Sequence, residues 1–216
     1  MKLIKKIFYS IILLMSLPAL SACGKNKSTT TDKANIFDDR KFETENISYT
    51  YPQIKNAPLA NKIIEDYANE RCTDNSIDLS DGTHLEGKYT IKYKDNNLIS
   101  IVFEEDYYNE KWAHPLAVCK GIVIDVNNNK LKKLSDYGFD KSKIIDFIDN
   151  GKYEIIYGGL TEFTKDEIKE HIQNNIENGS IDLTGDCFWV QDGSIYLICN
   201  TLQHALGDYA VIKFLN

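Results

Sequence analysis

The sequence contains few of the short motifs that mark enzyme active sites. Only four histidines occur, and they form neither an HExxH nor an HxH pattern. GxSxG, CxxC and DxDxDG are missing, and Gly158-Gly159 lacks the following Lys-Ser or Lys-Thr of a phosphate-binding loop. These absences argue against motif-based hydrolases, zinc fingers, EF-hands and nucleotide-binding enzymes. We therefore expect no catalytic residue, no metal site and no cofactor.

The chain also has fewer basic than acidic residues. The chain has 25 Lys and Arg residues against 32 Asp and Glu residues, which gives a net charge of −7. An acidic surface repels nucleic acids and anionic cell-wall polymers, and it attracts basic proteins or cations. We therefore expect no nucleic-acid partner, although solubility alone also accounts for such a charge.

The apolar run at the start of the chain is short for a membrane span. A spanning helix needs roughly 20 apolar residues, and the run from Ile7 to Leu20 is shorter and contains Pro18. Three lysines precede the run, and Ser21-Ala22 leads into Cys23. A basic start, an apolar segment and small residues before a cleavage point are typical of a secretory signal.

The cysteine makes this segment resemble a bacterial lipoprotein signal, with residues 1–22 removed and lipid attached to Cys23. We expect the chain to lie on the extracytoplasmic face of the cell membrane, because several acyl chains, palmitate among them, anchor a protein stably. An uncleaved transmembrane anchor and an ordinary secreted protein are the alternatives, and the second would not need Cys23. Loss of the signal removes three lysines and no acid, which moves the net charge from −7 to about −10.

Four further cysteines follow Cys23. An even number of thiols in an oxidising compartment is compatible with two disulfides, and buried free thiols are the alternative because free cysteine packs as a small apolar group. Sequence alone does not choose among the three pairings, although two of the cysteines flank a predicted hairpin. Their spacing to histidines fits no zinc site. The four are Cys72, Cys119, Cys187 and Cys199.

Composition divides the remaining chain into a tether and one domain. Residues 23–45 are polar and short of apolar side chains, so we predict a flexible tether. Apolar periodicity begins near Asn46 and continues without a second linker, so we predict one domain over 46–216.

Two periodicities alternate along this domain. Period-two alternation predicts strands around Tyr49, in a long hairpin turned at Asp95-Asn96-Asn97, and again near the C-terminus around a turn at Asp192-Gly193. Helical spacing predicts three helices between them. These helices are 58–71, a short one capped by Asp140 or Ser142, and 164–178 with a Thr164-x-x-Glu167 capping box.

This order predicts an α+β fold, an antiparallel β-sheet with two or three helices packed on one face. The helices 58–71 and 164–178 are predicted to cover the buried face, with Leu59 and Ile172 inside. The predicted buried face of the sheet contains Ile99, Ile101, Phe103, Ile122, Ile124, Ile195 and Ile212.

Several short motifs occur together in one order. They are Tyr51-Pro52-Gln53-Ile54, a helix with Asn61 and Ile64, a long hairpin, His114-Pro115, Asp125 before a turn to Lys130 and Leu134, Asp192-Gly193, and Gly207-Asp208-Tyr209-Ala210. In this combination the chain resembles the extracytoplasmic domain of RsiV-type anti-sigma factors, a domain that also accompanies the deacetylase PdaC. The resemblance covers nearly all of 47–216.

The resemblance implies a ligand-binding domain, with lysozyme as the first candidate because RsiV-type domains bind it. Two departures stand out: Asn129 replaces the usual glycine, and Asp136-Tyr137-Gly138-Phe139 replaces an acidic-Leu-Phe stretch. A lipid signal stands where the family has its cytoplasmic segment, so anti-sigma activity is not implied. The deacetylase's metal motif is absent as well.

We therefore expect a membrane-anchored, non-catalytic binding or sensing module for a basic protein or a cell-wall component. A structural envelope lipoprotein is the alternative, followed by an accessory of a metal-dependent cell-wall hydrolase.

One acidic and aromatic cluster is the candidate binding site. Tyrosine and tryptophan are the anchors that protein interfaces prefer, and carboxylates suit a basic partner. The alternative for the carboxylates is a solvated acidic strand end. The alternative for His114 is a hydrogen bond to the local backbone only. The cluster consists of Glu104, Glu105, Tyr107, Tyr108, Trp112 and His114.

Overall fold

The computed structural model describes residues 37–73, 79, 82–200 and 209–215. The predicted signal and Cys23 lie outside the described residues. No helix within the described ranges is long and apolar enough to span a bilayer. The elements are β1 (Phe37–Glu43), β2 (Ile47–Ile54), α1 (Pro58–Thr73), β3 (His84–Lys94), β4 (Leu98–Tyr108), β5 (Leu116–Asp125), β6 (Lys130–Leu131), α2 (Lys141–Asp149), β7 (Tyr153–Tyr157), α3 (Lys165–Glu177), β8 (Phe188–Gln191), β9 (Ser194–Cys199) and β10 (Ala210–Phe214).

Within the described residues, the strands form two sheets. The first has six strands in the order β1-β2-β3-β4-β5-β6, and the second has four in the order β7-β10-β9-β8. Only the β2–β3 pair is parallel among the pairs described, and α1 supplies the crossover that a parallel pair requires. The α+β class predicted from the sequence is confirmed, while the single predicted sheet is in fact two.

Strand β1 lies inside the segment that was predicted to be a tether up to residue 45. It pairs antiparallel with β2 from Phe37 opposite Ile54 to Glu43 opposite Ser48. Most of its side chains are exposed, and only Phe37 and Phe42 pack against the core. Its polar composition therefore resembles that of a tether, while backbone pairing with β2 holds it in the sheet.

Local signals place the turns and helix ends as predicted. In the β3–β4 turn, the Asp95 carboxylate accepts hydrogen bonds from the N–H groups of Asn97 and Leu98, each at 2.7 Å. At Asn129 the backbone φ is 49°, a left-handed conformation that asparagine tolerates better than most residues. Asn129 therefore forms the turn after Asp125 without a glycine.

Helix α1 covers the core of the first sheet, but Leu59 does not belong to its buried face. Leu59 was predicted to be buried and is 55% exposed. It precedes Ala60 of the buried stripe, and one residue rotates a side chain by about 100° around the helix axis. Two small alanines, Ala60 and Ala68, lie in the buried stripe, and Leu59 lies outside it. The buried residues are Ala60, Ile64, Tyr67, Ala68 and Cys72.

The core beneath α1 contains the predicted residues of the hairpin and β5. Tyr49 and Tyr67 stack on Phe103, with ring centroids 5.8 and 5.1 Å away. Their burial joins β2, α1 and β4 into one apolar layer. The predicted members that are buried here are Ile99, Ile101, Phe103, Ile122 and Ile124.

The second sheet has its own core, which α2 and α3 cover. Ile172 on α3 is fully buried there, as predicted. Ile195 and Ile212 belong to this core and not to that of the first sheet, because the C-terminal strands form a separate sheet. The predicted capping box starts α3: Thr164 N–H donates to Glu167 at 2.8 Å, and Glu167 N–H donates to the Thr164 hydroxyl at 3.3 Å.

A smaller buried cluster joins the two sheets. A Cβ atom on Gly121 of β5 would lie 2.4 Å from the carbonyl oxygen of Phe188, so only glycine permits this approach. Gly121 N–H donates to the Asp186 carbonyl at 2.8 Å, just before β8 begins. The cluster contains Val102, Cys119, Trp189, Ile198 and Val211.

The four cysteines after Cys23 are buried free thiols in the structure, which corresponds to the second of the two alternatives and not to two disulfides. Burial raises the pKa of Cys72, Cys119 and Cys187 to about 12. Burial also raises the pKa of Cys199. Protonated, desolvated thiols act as small apolar side chains in these cores.

Candidate functional site

Strand β4 divides the predicted acidic and aromatic cluster between two faces. Glu105 and Tyr107 point into the first core, where they are 0% and 2% exposed. Glu104 and Tyr108 point to the opposite face and are exposed, because successive side chains of a strand alternate. The prediction that Glu105 and Tyr107 contact a ligand is therefore corrected: both belong to the core.

Glu105 is the centre of a buried hydrogen-bond network. Arg71 Nε and Nη2 donate to its two carboxylate oxygens at 2.9 and 2.8 Å. The hydroxyls of Tyr49 and Tyr107 donate to them at 3.0 Å each. A buried carboxylate is tolerated when it is paired and its lone pairs are used in this way. The network fixes α1, β2 and β4 relative to one another.

The pKa values in this network follow from burial and from the carboxylate. Burial by itself lowers the pKa of Arg71, but the hydrogen bonds and charge of Glu105 raise it above its ordinary value. Burial and then the negative charge of Glu105 raise the pKa of Tyr49 and Tyr107. Both phenols stay protonated and act as donors.

Sequence reasoning missed Arg71. The available signal was its rarity, since Arg40 and Arg71 are the only arginines in the chain. A bidentate guanidinium suits a buried carboxylate better than a lysine does.

The exposed face of β3 and β4 carries a row of facing charged and aromatic pairs. Tyr108 lies opposite His84, and their rings stack with centroids 5.0 Å apart and planes inclined by 13°. The next pair on this face is Glu86 opposite Asp106. Like charges directly opposite each other destabilise a sheet, although Lys88 lies 3.4 Å from Glu86 and offsets part of the cost.

A hollow of about 240 Å³ opens beside this row. Glu43 at the end of β1 and Glu45 in the β1–β2 turn line it, together with His84 and Glu86 of β3 and Tyr108 of β4. We call these five residues the acidic hollow. Among the described residues that line it there is no lysine or arginine. Lys41 pairs with Glu43 at 2.7 Å and Lys88 with Glu86 at 3.4 Å from just outside it. Three carboxylates against these two lysines leave an excess of negative charge, which favours a positively charged group.

The other predicted residues lie outside this hollow. Glu104 accepts a hydrogen bond from the Tyr209 hydroxyl at 3.0 Å, further along the same face of β4. Trp112, 40% exposed, and His114 lie in the connection between β4 and β5. His114 Nδ1 is 3.1 Å from the carbonyl oxygen of Pro115, which is the local backbone contact considered as its alternative.

Within the described ranges, no group of three or more His, Cys, Asp or Glu side chains is arranged to hold a metal ion. The acidic hollow offers carboxylates, one imidazole and one phenol. This set can neutralise and orient a cationic group, with Tyr108 as an aromatic wall.

Comparisons with known proteins find similarity in three-dimensional structure only. No family model matches the sequence, and no curated protein matches it. Seven chains of solved structures match. One is a DUF3298 family protein from Pseudomonas aeruginosa PAO1, at 12% identity and a TM-score of 0.43, with 83% of this chain and 88% of that chain covered. Another is a member of the DUF3298 family from Bacteroides fragilis NCTC 9343, at 13% identity and a TM-score of 0.42, with 83% and 89% covered.

Proposed function

We propose that this chain is a non-catalytic binding or sensing module on the extracytoplasmic face of the cell membrane, and that its ligand is a basic protein or a cell-envelope component. Lysozyme is the first candidate through the resemblance to RsiV-type domains. The observation that carries the proposal is the acidic hollow.

The hollow suits the end of a lysine or arginine side chain. Its volume of about 240 Å³ is sufficient for an ammonium or guanidinium group with part of its stem. Glu43, Glu45 and Glu86 supply negative charge on its sides. The flat stack of Tyr108 and His84 supplies a surface for a guanidinium plane.

The net charge of the whole chain supports the same partner. A net charge of −7, or about −10 without the signal, steers a basic protein toward the domain. This attraction is strongest at low ionic strength, because exposed charges are screened over about 10 Å at 0.1 M salt. Lipid on Cys23 would hold the domain at the membrane surface.

Binding of lysozyme to the chain from Gly24 onward is the test. We expect the double variant Glu43→Lys/Glu86→Lys to raise the dissociation constant about tenfold or more, the equivalent of about 1.4 kcal/mol. The matched control is Glu154→Lys/Glu170→Lys, which makes the same change in net charge at exposed positions outside the hollow.

Equal weakening by both double variants would show that only overall charge acts, and would refute the hollow as the site. If neither lysozyme nor any component of a cell-wall digest binds, the structural envelope lipoprotein is favoured. Turnover of cell-wall substrate that requires a metal ion would favour the hydrolase accessory.

A further inference from the structure

A second depression lies between α1 and β6, away from the acidic hollow. Two cavities of about 300 and 360 Å³ share Tyr67, Glu70 and Leu131. Together they form one groove, which we call the α1–β6 groove. None of its described lining residues belongs to the acidic hollow.

The two walls of the groove carry opposite charges. Asp66 and Glu70 stand one helical turn apart on the α1 wall, with Tyr67 between them. Lys130 of β6 lines the opposite wall, and Lys132, two residues further along the chain, also lines the groove while its Nζ lies 3.5 Å from Asp125. With Glu70 on one wall and Lys130 on the other, the groove suits a ligand that carries both signs of charge.

The floor of the groove is held in place by hydrogen bonds. The buried Tyr67 hydroxyl donates to Asp186 Oδ2 at 2.7 Å, and Lys120 Nζ donates to Asp186 Oδ1 at 3.1 Å. Burial, followed by the charge of Asp186, raises the pKa of Tyr67, so its hydroxyl remains a donor. The floor therefore needs little reorganisation when a ligand enters.

The loop at one end of the groove also has a defined shape. Asp182 accepts hydrogen bonds from the Thr184 N–H and hydroxyl at 2.8 and 2.7 Å. A Cβ atom on Gly185 would lie 2.8 Å from Asp182 Oδ2. A side chain at residue 185 would push the carboxylate away, so glycine keeps this end in its present form.

Strand β6 brings an apolar contact and a sheet edge to the groove. Leu131 is 44% exposed there, facing the cavity that Ile63 also lines. Because β6 is the last strand of the first sheet, its outer backbone groups pair with no other strand among the described residues. An extended peptide can use such an edge for backbone hydrogen bonds.

We propose that the α1–β6 groove binds a short extended peptide with a free amino group, an aliphatic side chain and a free carboxylate. The amino group lies toward Glu70, the carboxylate toward Lys130 and Lys132, and the aliphatic side chain against Leu131. The peptide adds along the outer edge of β6. This site is separate from the acidic hollow, so its test is independent of the test of the proposed function.

Nuclear magnetic resonance of the methyl-labelled chain from Gly24 onward tests this, with the tripeptide Ala-Leu-Ala as the probe. We expect the Leu131 methyl signals to shift and to reach saturation at peptide concentrations below about 10 mM, which corresponds to a binding free energy of a few kcal/mol. The same peptide with an acetylated amino terminus and an amidated carboxyl terminus should bind at least about tenfold more weakly.

Two variants on the same helix locate the site. Glu70→Lys should weaken binding at least about tenfold, whereas Glu65→Lys makes the same charge change at an exposed position outside both cavities and should leave it unchanged. Thermal unfolding of both variants checks that they are folded. The proposal is overturned by no saturable shift up to about 10 mM, by equal binding of the capped peptide, or by equal weakening in the two variants.

Discussion

Arg71 and Glu105 form a two-point ion pair, with Arg71 Nε and Nη2 at 2.9 and 2.8 Å from the two oxygens of Glu105. The Glu105 side chain is fully buried and that of Arg71 is 16% exposed. The pair ties the last turn of α1 to the middle of the first sheet. The acid that sequence reasoning placed in a binding site thus contributes to the integrity of the core.

Replacing Glu105 should destabilise the domain strongly. Glu105→Ala leaves the Arg71 guanidinium buried without its carboxylate, and loss of one partner of a buried pair costs about 3–5 kcal/mol. The matched control is Glu104→Ala, one residue away on the exposed face, where loss of the Tyr209 hydrogen bond costs about 1 kcal/mol. Urea unfolding measures both, and equal losses would contradict the structural role of Glu105.

Ile172 and Leu59, which were both predicted from the sequence to be buried, should respond differently to truncation. Ile172→Ala removes a fully buried side chain of α3 and should cost about 2–5 kcal/mol. Leu59→Ala removes a side chain that is 55% exposed and should change the free energy of unfolding by less than about 0.5 kcal/mol. A large loss for Leu59→Ala in urea unfolding would contradict the helical phase of α1.

The N-cap of α2 should give a pH-dependent contribution to stability. The Asp140 carboxylate accepts hydrogen bonds from Lys143 N–H at 2.8 Å and from the Ser142 hydroxyl at 2.7 Å. These bonds hold the pKa of Asp140 below its ordinary value. Because the folded-state pKa is the lower one, the contribution is present above the unfolded-state value of about 4 and is lost as pH falls through the folded-state value.

Asp140→Ala should therefore lower the urea midpoint at neutral pH, and its difference from the unmodified chain should shrink as pH falls toward about 3. Asp140→Asn is the control, because asparagine also caps helices but does not titrate. If the difference for Asp140→Ala is the same at both pH values, the carboxylate charge does not act at this cap.

Strand β1 should be needed for a well-behaved domain. A fragment that begins at residue 46 lacks β1, which exposes the edge of β2 and removes the contacts of Phe37 and Phe42. Uncovered strand edges promote association. We expect this fragment to unfold at lower urea concentration and to aggregate more than one that begins at residue 35, as measured by light scattering. Equal behaviour would mean that β1 contributes nothing to the fold.

Membrane attachment should depend on one thiol. Cys23→Ala, or globomycin treatment, should prevent maturation of the lipoprotein signal, and Cys23→Ala should change the chain's size and release it from the membrane fraction. Immunoblots of fractionated cells measure this. Unchanged size and fractionation in both cases would contradict lipid anchoring.

Features within a few residues of each other were predictable from the sequence. The Thr164–Glu167 capping box forms as predicted, and the Asp192-Gly193 turn has φ values of 50° and 75°. Each depends on short-range hydrogen bonds or on the conformational freedom of one or two residues. The lipoprotein signal is likewise a property of the linear sequence, and it stays a prediction because Cys23 lies outside the described residues.

Tertiary structure alone decided which side of each element is buried. The alternation in β4 separates Glu104 from Glu105, but Glu105 can be buried as a charge because Arg71, 34 residues away, pairs with it and Tyr49 donates to it. The division into two sheets and the pairing of polar β1 with β2 depend likewise on partners distant in the chain. Periodicity defines two faces of a strand or helix, whereas burial depends on long-range contacts that no local pattern contains.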